Sequence, residues 1–119
     1  MNLETFYEYC FSKKGVTEHF PFNDDALVFK VGGKMFALSS LHQWEIGSPN
    51  VNLKCNPEYA LELRAEYEAI QPAFHMNKAH WNTVYINEEI PDVFVKELID
   101  HSYDLVFRSL TKIIQNEIF

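Results

Sequence analysis

The stretch ALVFKVGGKMFALSS, residues 26–40, decides the fold, because two apolar runs flank the pair Gly32-Gly33. Consecutive glycines accept the positive φ angles of a two-residue hairpin turn, so the stretch predicts two antiparallel strands. One face of this hairpin is almost wholly apolar and is predicted to cover the core, whereas the face that carries Lys30 is mixed. The turn predicts the pairs Val31 with Lys34, Phe29 with Phe36, and Leu27 with Leu38.

On the N-terminal side of the hairpin, the sequence predicts a helix followed by an edge strand. Apolar residues recur at helical spacing from Leu3 to Phe11, and Gly15 is typical of the residue just past a helix end. Residues 16–22 alternate, and Pro21 favours the edge of a sheet because proline cannot donate to a strand ladder.

On the C-terminal side, residues 42–50 indicate a loop and VNLKC at 51–55 indicates a further strand. Its alternation directs Val51, Leu53 and Cys55 to the core and leaves Asn52 and Lys54 on the opposite face. Asn56-Pro57 then marks a helix start, and we expect this helix to end at Pro72.

The rest of the chain predicts a second hairpin and a long helix. A short strand at 73–76 is expected to pair with residues 81–86 through the turn NKAH. Pro91 opens a helix with one apolar stripe, which reaches Ile113, and a break near residues 109–111. The predicted class is α+β: a two-layer domain over residues 1–119, with an antiparallel sheet and helices packed on one face.

Composition and charge restrict the classes of protein to which the chain can belong. A chain of 119 residues with 47% hydrophobic residues is long enough for one folded domain. It shows neither a leader peptide nor a run of about 20 apolar residues, which predicts a cytoplasmic protein without membrane contact. We expect Cys10 and Cys55 to be reduced thiols with packing roles.

The net charge of −7 opposes general attraction to nucleic acid. Charge is nevertheless segregated along the chain. Residues 26–55 and 71–87 together contain four lysines and one glutamate, net +3, so the remainder carries net −10. A local basic surface is therefore compatible with the composition.

Motifs for metal, nucleotide and catalytic sites are weak or missing. His75 and His80 are five residues apart with no cysteine or carboxylate between them, which disfavours a metal site. VGGK is a hairpin turn without a following helix, so it is not a phosphate-binding loop. An enzyme would need a perturbed titratable group in a pocket, for which Cys55 beside His75 or His80 is the candidate. We expect no enzymatic activity and no cofactor.

The segment HMNKAHWN, residues 75–82, admits two interpretations. In one, it forms part of a basic surface in which asparagines and lysines contact phosphates and Trp81 stacks on a base. In the other, Trp81 packs in the core, the histidines bind backbone carbonyls and Asn77 shapes the turn. The candidate nucleic-acid or anion-binding residues are Lys30, Asn52, Lys54, His75, Asn77, Lys78, His80 and Trp81.

Five segments in order resemble the MmcQ/YjbR family: KKGVTEHFPF, LVFKVGGKMFAL, VNLKCNPEYALELR, FHMNKAHWNTV and LIDHSYDLV. The resemblance covers nearly the whole chain, and HMNKAHWN is its most distinctive part. It implies an α-β(3)-α-β(2)-α fold, described as CyaY-like and grouped with secretion-chaperone-like domains. Members are commonly described as DNA-binding, but the resemblance implies no reaction, substrate or catalytic residue. The chain departs from it in a longer segment at 42–50.

These observations favour a small binding protein with one basic face that contacts DNA weakly and in a salt-dependent manner. The alternative is a chaperone-like protein-interaction module without nucleic-acid binding. That alternative predicts an exposed apolar patch of several hundred Å².

Overall fold

The computed structural model describes residues 1–119 as one six-stranded antiparallel sheet and five helices. The strands are β1 (Val16–His19), β2 (Ala26–Val31), β3 (Lys34–Ser40), β4 (Asn50–Lys54), β5 (Ile70–Pro72) and β6 (Trp81–Tyr85). The helices are α1 (Leu3–Phe11), α2 (Leu41–Glu45), α3 (Pro57–Glu66), α4 (Asp92–Ser109) and α5 (Lys112–Ile118). The strand order is β1-β2-β3-β4-β6-β5, so the predicted α+β class is confirmed.

The helices cover one face of the sheet. α4 lies across β2, β3 and β4, while α1 contacts β1 and α3 contacts β5. The core between the layers holds 23 buried residues, including Phe6 of α1, Phe29 and Phe36 of the hairpin and Ile99 of α4. We call the other side of the sheet the helix-free face. None of the helices is long and apolar enough to span a membrane.

The β2–β3 hairpin forms as predicted at its turn but shifts register further along. Gly32 and Gly33 both have positive φ, and Val31 pairs with Lys34. Beyond Lys30 a bulge intervenes, so Phe29 pairs with Ala37 and Leu27 with Ser39. The predicted pairs Phe29–Phe36 and Leu27–Leu38 are therefore wrong. The extra residue is Phe36, which, like Ala37, faces the core, because a bulge places two residues of one strand opposite one of its partner.

Ser102 of α4 completes the ladder beside this bulge. Its hydroxyl donates to the Phe36 carbonyl over 2.5 Å and accepts from the Lys54 backbone N–H over 2.9 Å. A side chain from the helix layer thus bridges a carbonyl of β3 and an amide of β4. Ser102 is fully buried, so its hydroxyl satisfies two backbone groups that water does not reach.

Three boundary predictions are wrong. The segment 42–50 is not entirely loop, since α2 occupies residues 41–45 and packs Trp44 against Phe6. The helix that starts at Asn56-Pro57 ends at Glu66 and not at Pro72, because Tyr67 is extended and Glu89 accepts the next two amides. The strand expected at 73–76 lies at 70–72, which lengthens the connection to β6 to residues 73–80.

The terminal helices follow the sequence closely. α1 ends at Phe11, β1 is an edge strand, and the break expected near 109–111 separates α4 from α5. Thr111 caps α5 through its side-chain oxygen. Ile113 is 73% exposed and so does not continue the buried stripe, because the break turns α5 away from the axis of α4.

Candidate functional site

The strand residues that lie on the helix-free face include cations but no carboxylate. Strand pairing places on it a mixed set of residues: Thr17, His19, Val28, Lys30, Met35, Leu38, Asn52, Lys54, Gln71, Trp81, Thr83 and Tyr85. The single acid among the six strands is Glu18, which faces the helices and accepts the Tyr7 hydroxyl. The acidic residues of the helices therefore lie on the other side of the sheet.

A cleft of about 450 Å³ opens on this face between two loops. One wall is the 20–25 loop, which contributes Phe22, and the other is the 73–80 loop. The lining residues are Phe22, Met35, Leu38, Asn52, His75, Met76, Asn77 and Trp81. Its volume lies in the range of small-molecule sites.

Two hydrogen-bond donors in the cleft have no protein acceptor. Asn52 accepts the Thr83 hydroxyl through Oδ1 over 2.6 Å, which leaves its amide N–H groups free. The Trp81 indole N–H likewise donates to no protein atom. Since every fully buried side-chain nitrogen and oxygen has a partner, both donors are accessible to solvent. A ligand with acceptor atoms would therefore find unpaired donors above the apolar Met35 and Leu38.

The 73–80 loop is held in place from the helix layer by Arg64. Its Nε donates to Asn82 Oδ1 over 2.7 Å, and its Nη2 donates to the Lys78 and Trp81 carbonyls. Within the loop, Asn77 Oδ1 accepts the Ala79 amide over 3.0 Å, which is an Asx turn. Asn77 thus shapes the turn and also lines the cleft.

Trp81 is buried, at 9% exposure, but it lies on the helix-free face and outside the main core cluster. Val28 and Ala73 are also buried outside that cluster. The loops therefore shelter a small second apolar layer. Trp81 is therefore buried, as the packing interpretation expects, but in this second layer and not between sheet and helices, because its strand neighbour Asn82 takes the inward position.

The candidate lysines occupy different places. Lys30 is paired with Met35 and Lys54 with Trp81, so each is the cross-strand neighbour of a residue that lines the cleft. They stand two strands apart, with backbones on the order of 10 Å from each other. Lys78 extends its ammonium group over the Phe74 ring, 5.5 Å from the centroid. None of the three has a carboxylate within ion-pair distance.

The two histidines of the signature segment separate. His75 lines the cleft, whereas His80 is exposed outside it and takes part in the fold through its backbone, whose carbonyl accepts the Cys55 amide over 2.8 Å. Neither imidazole donates to a backbone carbonyl. Cys55 is buried on the core face, and burial raises the pKa of its thiol to about 11. No group of three His, Cys, Asp or Glu side chains is placed to hold a metal ion.

The sequence matches a known protein family over most of its length. The YjbR family model matches residues 11–105, which include every strand and both cleft loops. The chain belongs to the YjbR family. Over 92 residues it is 44% identical to the uncharacterized protein YbdF of Escherichia coli O157:H7, covering 77% of this chain and 73% of that protein. It is 34% identical to YjbR of Escherichia coli K12, covering 87% and 85%.

Solved structures of similar sequence share the fold of this YjbR-family chain. A crystal structure of a Deinococcus radiodurans protein with a DUF419 domain superposes with a TM-score of 0.90 at 34% identity, covering 98% of this chain and 87% of that one. A Pseudomonas syringae protein gives a TM-score of 0.75 at 31% identity, covering 89% and 99%. The architecture of this chain is thus shared by solved proteins from two bacteria.

Sequence reasoning missed several residues of the site. Phe22, Met35, Leu38 and Met76 line the cleft, and nothing in their local patterns distinguishes them from ordinary apolar residues. Arg64 had a detectable signal, because it is the only cation in a helix that carries Glu58, Glu62 and Glu66. An isolated arginine among acids indicates a specific partner for its planar guanidinium group.

A second, more apolar groove lies at the β1 edge of the sheet. It encloses about 540 Å³ between α1, β1 and the start of α2, and is lined by Leu3, Glu4, Tyr7, Glu18, Phe20, Leu27 and Leu41. Tyr7 also stacks on the exposed Phe11, with ring centroids 5.6 Å apart. In this YjbR-family chain the apolar groove and the cleft are therefore separate concave surfaces, with no lining residue in common.

Proposed function

We propose that the protein is a small binding protein that contacts nucleic acid weakly through the helix-free face. The observation that carries this proposal is the segregation of charge by face: the strands contribute Lys30 and Lys54 to that face and no carboxylate. A cation without a carboxylate partner is available to a phosphate. The description of YjbR-like proteins as DNA-binding, which the sequence resemblance implies, agrees with this use of the surface.

The expected affinity is modest. Three lysines, Lys30, Lys54 and Lys78, are the cations available near the cleft. Each phosphate that they neutralise contributes to the binding free energy through release of its counterion. The helices on the other face carry the acids, so a duplex that wrapped around the molecule would meet repulsion. Binding is therefore confined to one face and is sensitive to salt.

Charge-reversal variants test this proposal, and the hairpin supplies a matched control. Lys54→Glu is expected to weaken DNA binding at low salt by about tenfold or more, because it replaces attraction by repulsion beside the cleft. Lys34→Glu makes the same charge change in the same sheet, but Lys34 faces the helices and contacts Ser109. Fluorescence anisotropy with a labelled oligonucleotide measures both. Equal losses, or no binding by the unmodified protein, would refute the proposal.

The remaining expectations belong to the same proposal. We place the protein in the cytoplasm, where nucleic acid is available and where the thiols of Cys10 and Cys55 stay reduced. We assign it no catalytic activity, in keeping with Cys55 and His75 lying on opposite sides of the sheet. The CyaY-like and chaperone-like description of the fold is likewise retained as a proposal.

The apolar groove beside α1 favours a second candidate, a protein-interaction module. Its lining is mostly apolar with Glu4 and Glu18 at the rim, which suits a partner segment with apolar and basic residues. Titration with a synthetic basic amphipathic peptide is expected to show binding that Phe20→Ser abolishes. Phe22→Ser, in the same loop but outside this groove, is expected to leave the binding intact. Failure of the peptide to bind would remove this candidate.

A further inference from the structure

The cleft on the helix-free face combines two aromatic side chains with free hydrogen-bond donors. Phe22 and Trp81 both line it, yet their rings do not stack on each other or on any other ring. Phe22 is 73% exposed, so most of its ring is available to a ligand in the cleft. Phe22 therefore presents an open aromatic surface to a flat heterocycle, and Trp81 adds the 9% of its surface that is exposed.

The polar groups of the cleft suit the edge of a base. The free N–H groups of Asn52 and the indole N–H of Trp81 offer donors, while a nucleobase edge presents carbonyl and ring-nitrogen acceptors. Met35 and Leu38 provide an apolar floor. No carboxylate lines the cleft itself, although Asp24 and Asp25 belong to the 20–25 loop that forms one wall.

The flanking lysines determine where phosphates would lie. Lys30 is the ladder neighbour of Met35, and Lys54 is the ladder neighbour of Trp81. A base in the cleft therefore has an ammonium group available on β2 and another on β4, both on the face of the sheet where its phosphates must emerge. Charge and shape are thus complementary to a nucleotide within a single strand.

We propose that the cleft accepts one unstacked base of single-stranded nucleic acid, between Phe22 and Trp81. This inference rests on the proposed nucleic-acid binding and makes it more specific. A base within a duplex is stacked and paired, so it enters the cleft only after extrusion, which is unfavourable. The protein therefore prefers single strands over duplexes.

Binding of matched oligonucleotides at low salt tests the inference. We expect a single-stranded decamer to bind at least tenfold more tightly than the duplex of the same sequence. Phe22→Ala is expected to weaken single-strand binding by about 10- to 100-fold, in line with the loss of one base–aromatic stack. The matched control is Phe74→Ala, since Phe74 is 65% exposed in the facing loop but does not line the cleft. It should change affinity less than threefold.

Intrinsic fluorescence adds a direct readout of the cleft. Trp44 stacks on Phe6 in the core and donates its indole N–H to Ser39, so a bound base does not reach it. Single strands should therefore quench the emission of Trp81, and Trp81→Phe should abolish the quenching.

The outcomes separate the two proposals. Single strands and duplexes could bind equally, without quenching of Trp81, and Lys54→Glu could weaken the binding of both. That result would support nucleic-acid binding by the helix-free face and would overturn the base site. If a single strand binds preferentially but Phe22→Ala behaves like Phe74→Ala, the base site is also overturned. If no oligonucleotide binds at low salt, both the proposed function and the base site are refuted.

Discussion

Ser102 places its hydroxyl between the Phe36 carbonyl and the Lys54 amide, and so connects the helix layer to the middle of the sheet. The bulge at Phe36 separates these two backbone groups from the regular ladder. Because the site is fully buried, no solvent replaces the hydroxyl if it is removed. The Ser102 side chain therefore stabilises the bulge in the sheet beside Lys54.

Ser102→Ala is expected to lower the free energy of unfolding by about 2–4 kcal/mol, because it leaves two buried backbone groups unpaired. Chemical denaturation measures the change. Ser109→Ala, on the same helix but exposed, should stay within about 0.5 kcal/mol of the unmodified protein. Similar losses in the two variants would contradict this account of Ser102.

His101 is expected to make stability depend on pH. Its Nε2 accepts the Asn56 amide over 3.2 Å, and burial is the main cause that lowers its pKa, while Asp104 raises and Arg108 lowers it. The unfolded chain therefore takes up the proton first, at a pKa of about 6.5. Stability is fully present above that pH and is lost as pH falls from there through the folded-state pKa.

Denaturation at pH 7.5 and 5.5 measures this contribution. His101→Gln should reduce the difference in unfolding free energy between the two pH values. His80→Gln should retain the full difference, since His80 is exposed. A His101→Gln variant with unchanged pH dependence would show that other groups cause it.

Among the elements, the β2–β3 hairpin and the 73–80 loop position the site most directly. The hairpin carries Lys30, Met35 and Leu38 to the helix-free face, and its turn lies against the junction of α4 and α5. A Cβ atom on Gly32 would come within 2.5 Å of the Leu110 side chain, whereas a Cβ on Gly33 would meet no atom within 4 Å. Both glycines have positive φ, at 58° and 80°.

These two glycines form a matched pair for mutagenesis. Gly33→Ala should cost about 1 kcal/mol of stability, because alanine disfavours positive φ. Gly32→Ala carries the same backbone strain and also displaces Leu110, so its total should reach about 2–4 kcal/mol. Thermal or chemical denaturation distinguishes them. Equal losses of stability in the two variants would mean that the Leu110 side chain moves away from the new methyl group at no cost in free energy.

The 73–80 loop depends on Arg64 of α3. Arg64→Met removes the hydrogen bonds to Asn82 and to the Lys78 and Trp81 carbonyls. We expect faster amide hydrogen exchange in residues 77–82, with β1 and β2 unchanged, because the opening is local. Arg108→Met, an exposed change of equal charge, serves as the control. Uniform acceleration across the sheet would instead indicate global destabilisation.

At the scale of the whole molecule, a net charge of −7 is divided between two faces of one sheet. The helices carry most of the acids and the helix-free face carries unpaired lysines, while Glu68, Glu88 and Glu89 lie in loops beside Gln71 and Tyr85 at its β5–β6 end. A polyanion therefore meets attraction from one direction only, and the number of contacts it makes is limited by the area of that face.

This asymmetry predicts a shallow salt dependence of binding. With at most three phosphates neutralised, by Lys30, Lys54 and Lys78, the slope of log K against log salt should lie near −2 to −3. Anisotropy titrations at several salt concentrations measure it. A slope steeper than about −5 would contradict the model of a single face, because it would require cations outside the cleft region.

Several elements could be predicted because their signals are local. Gly32-Gly33 gave the hairpin turn, the alternation at 51–55 assigned Asn52 and Lys54 to the helix-free face, and Asn56-Pro57 gave the start of α3. Each depends on backbone φ or on side-chain period, which neighbouring residues set by themselves. The break between α4 and α5 was likewise predictable from a local signal.

Other features depend on residues far apart in the chain. The end of α3 depends on Glu89, which accepts the amides of Glu68 and Ala69. The position of β5 and the length of the 73–80 loop follow from that early end. No pattern between residues 57 and 76 contains this information, so the sequence placed both boundaries too late.

The sequence by itself determined the α+β class, the hairpin turn and the faces of β4, because short-range sterics and alternation decide them. Only the tertiary structure decided the bulge at Phe36, which is stabilised by Ser102 from 66 residues away. It also decided the cleft, since the 20–25 and 73–80 loops meet only after the sheet has formed. Contacts between distant segments depend on packing, and for this reason the candidate site emerges from the fold and not from any one motif.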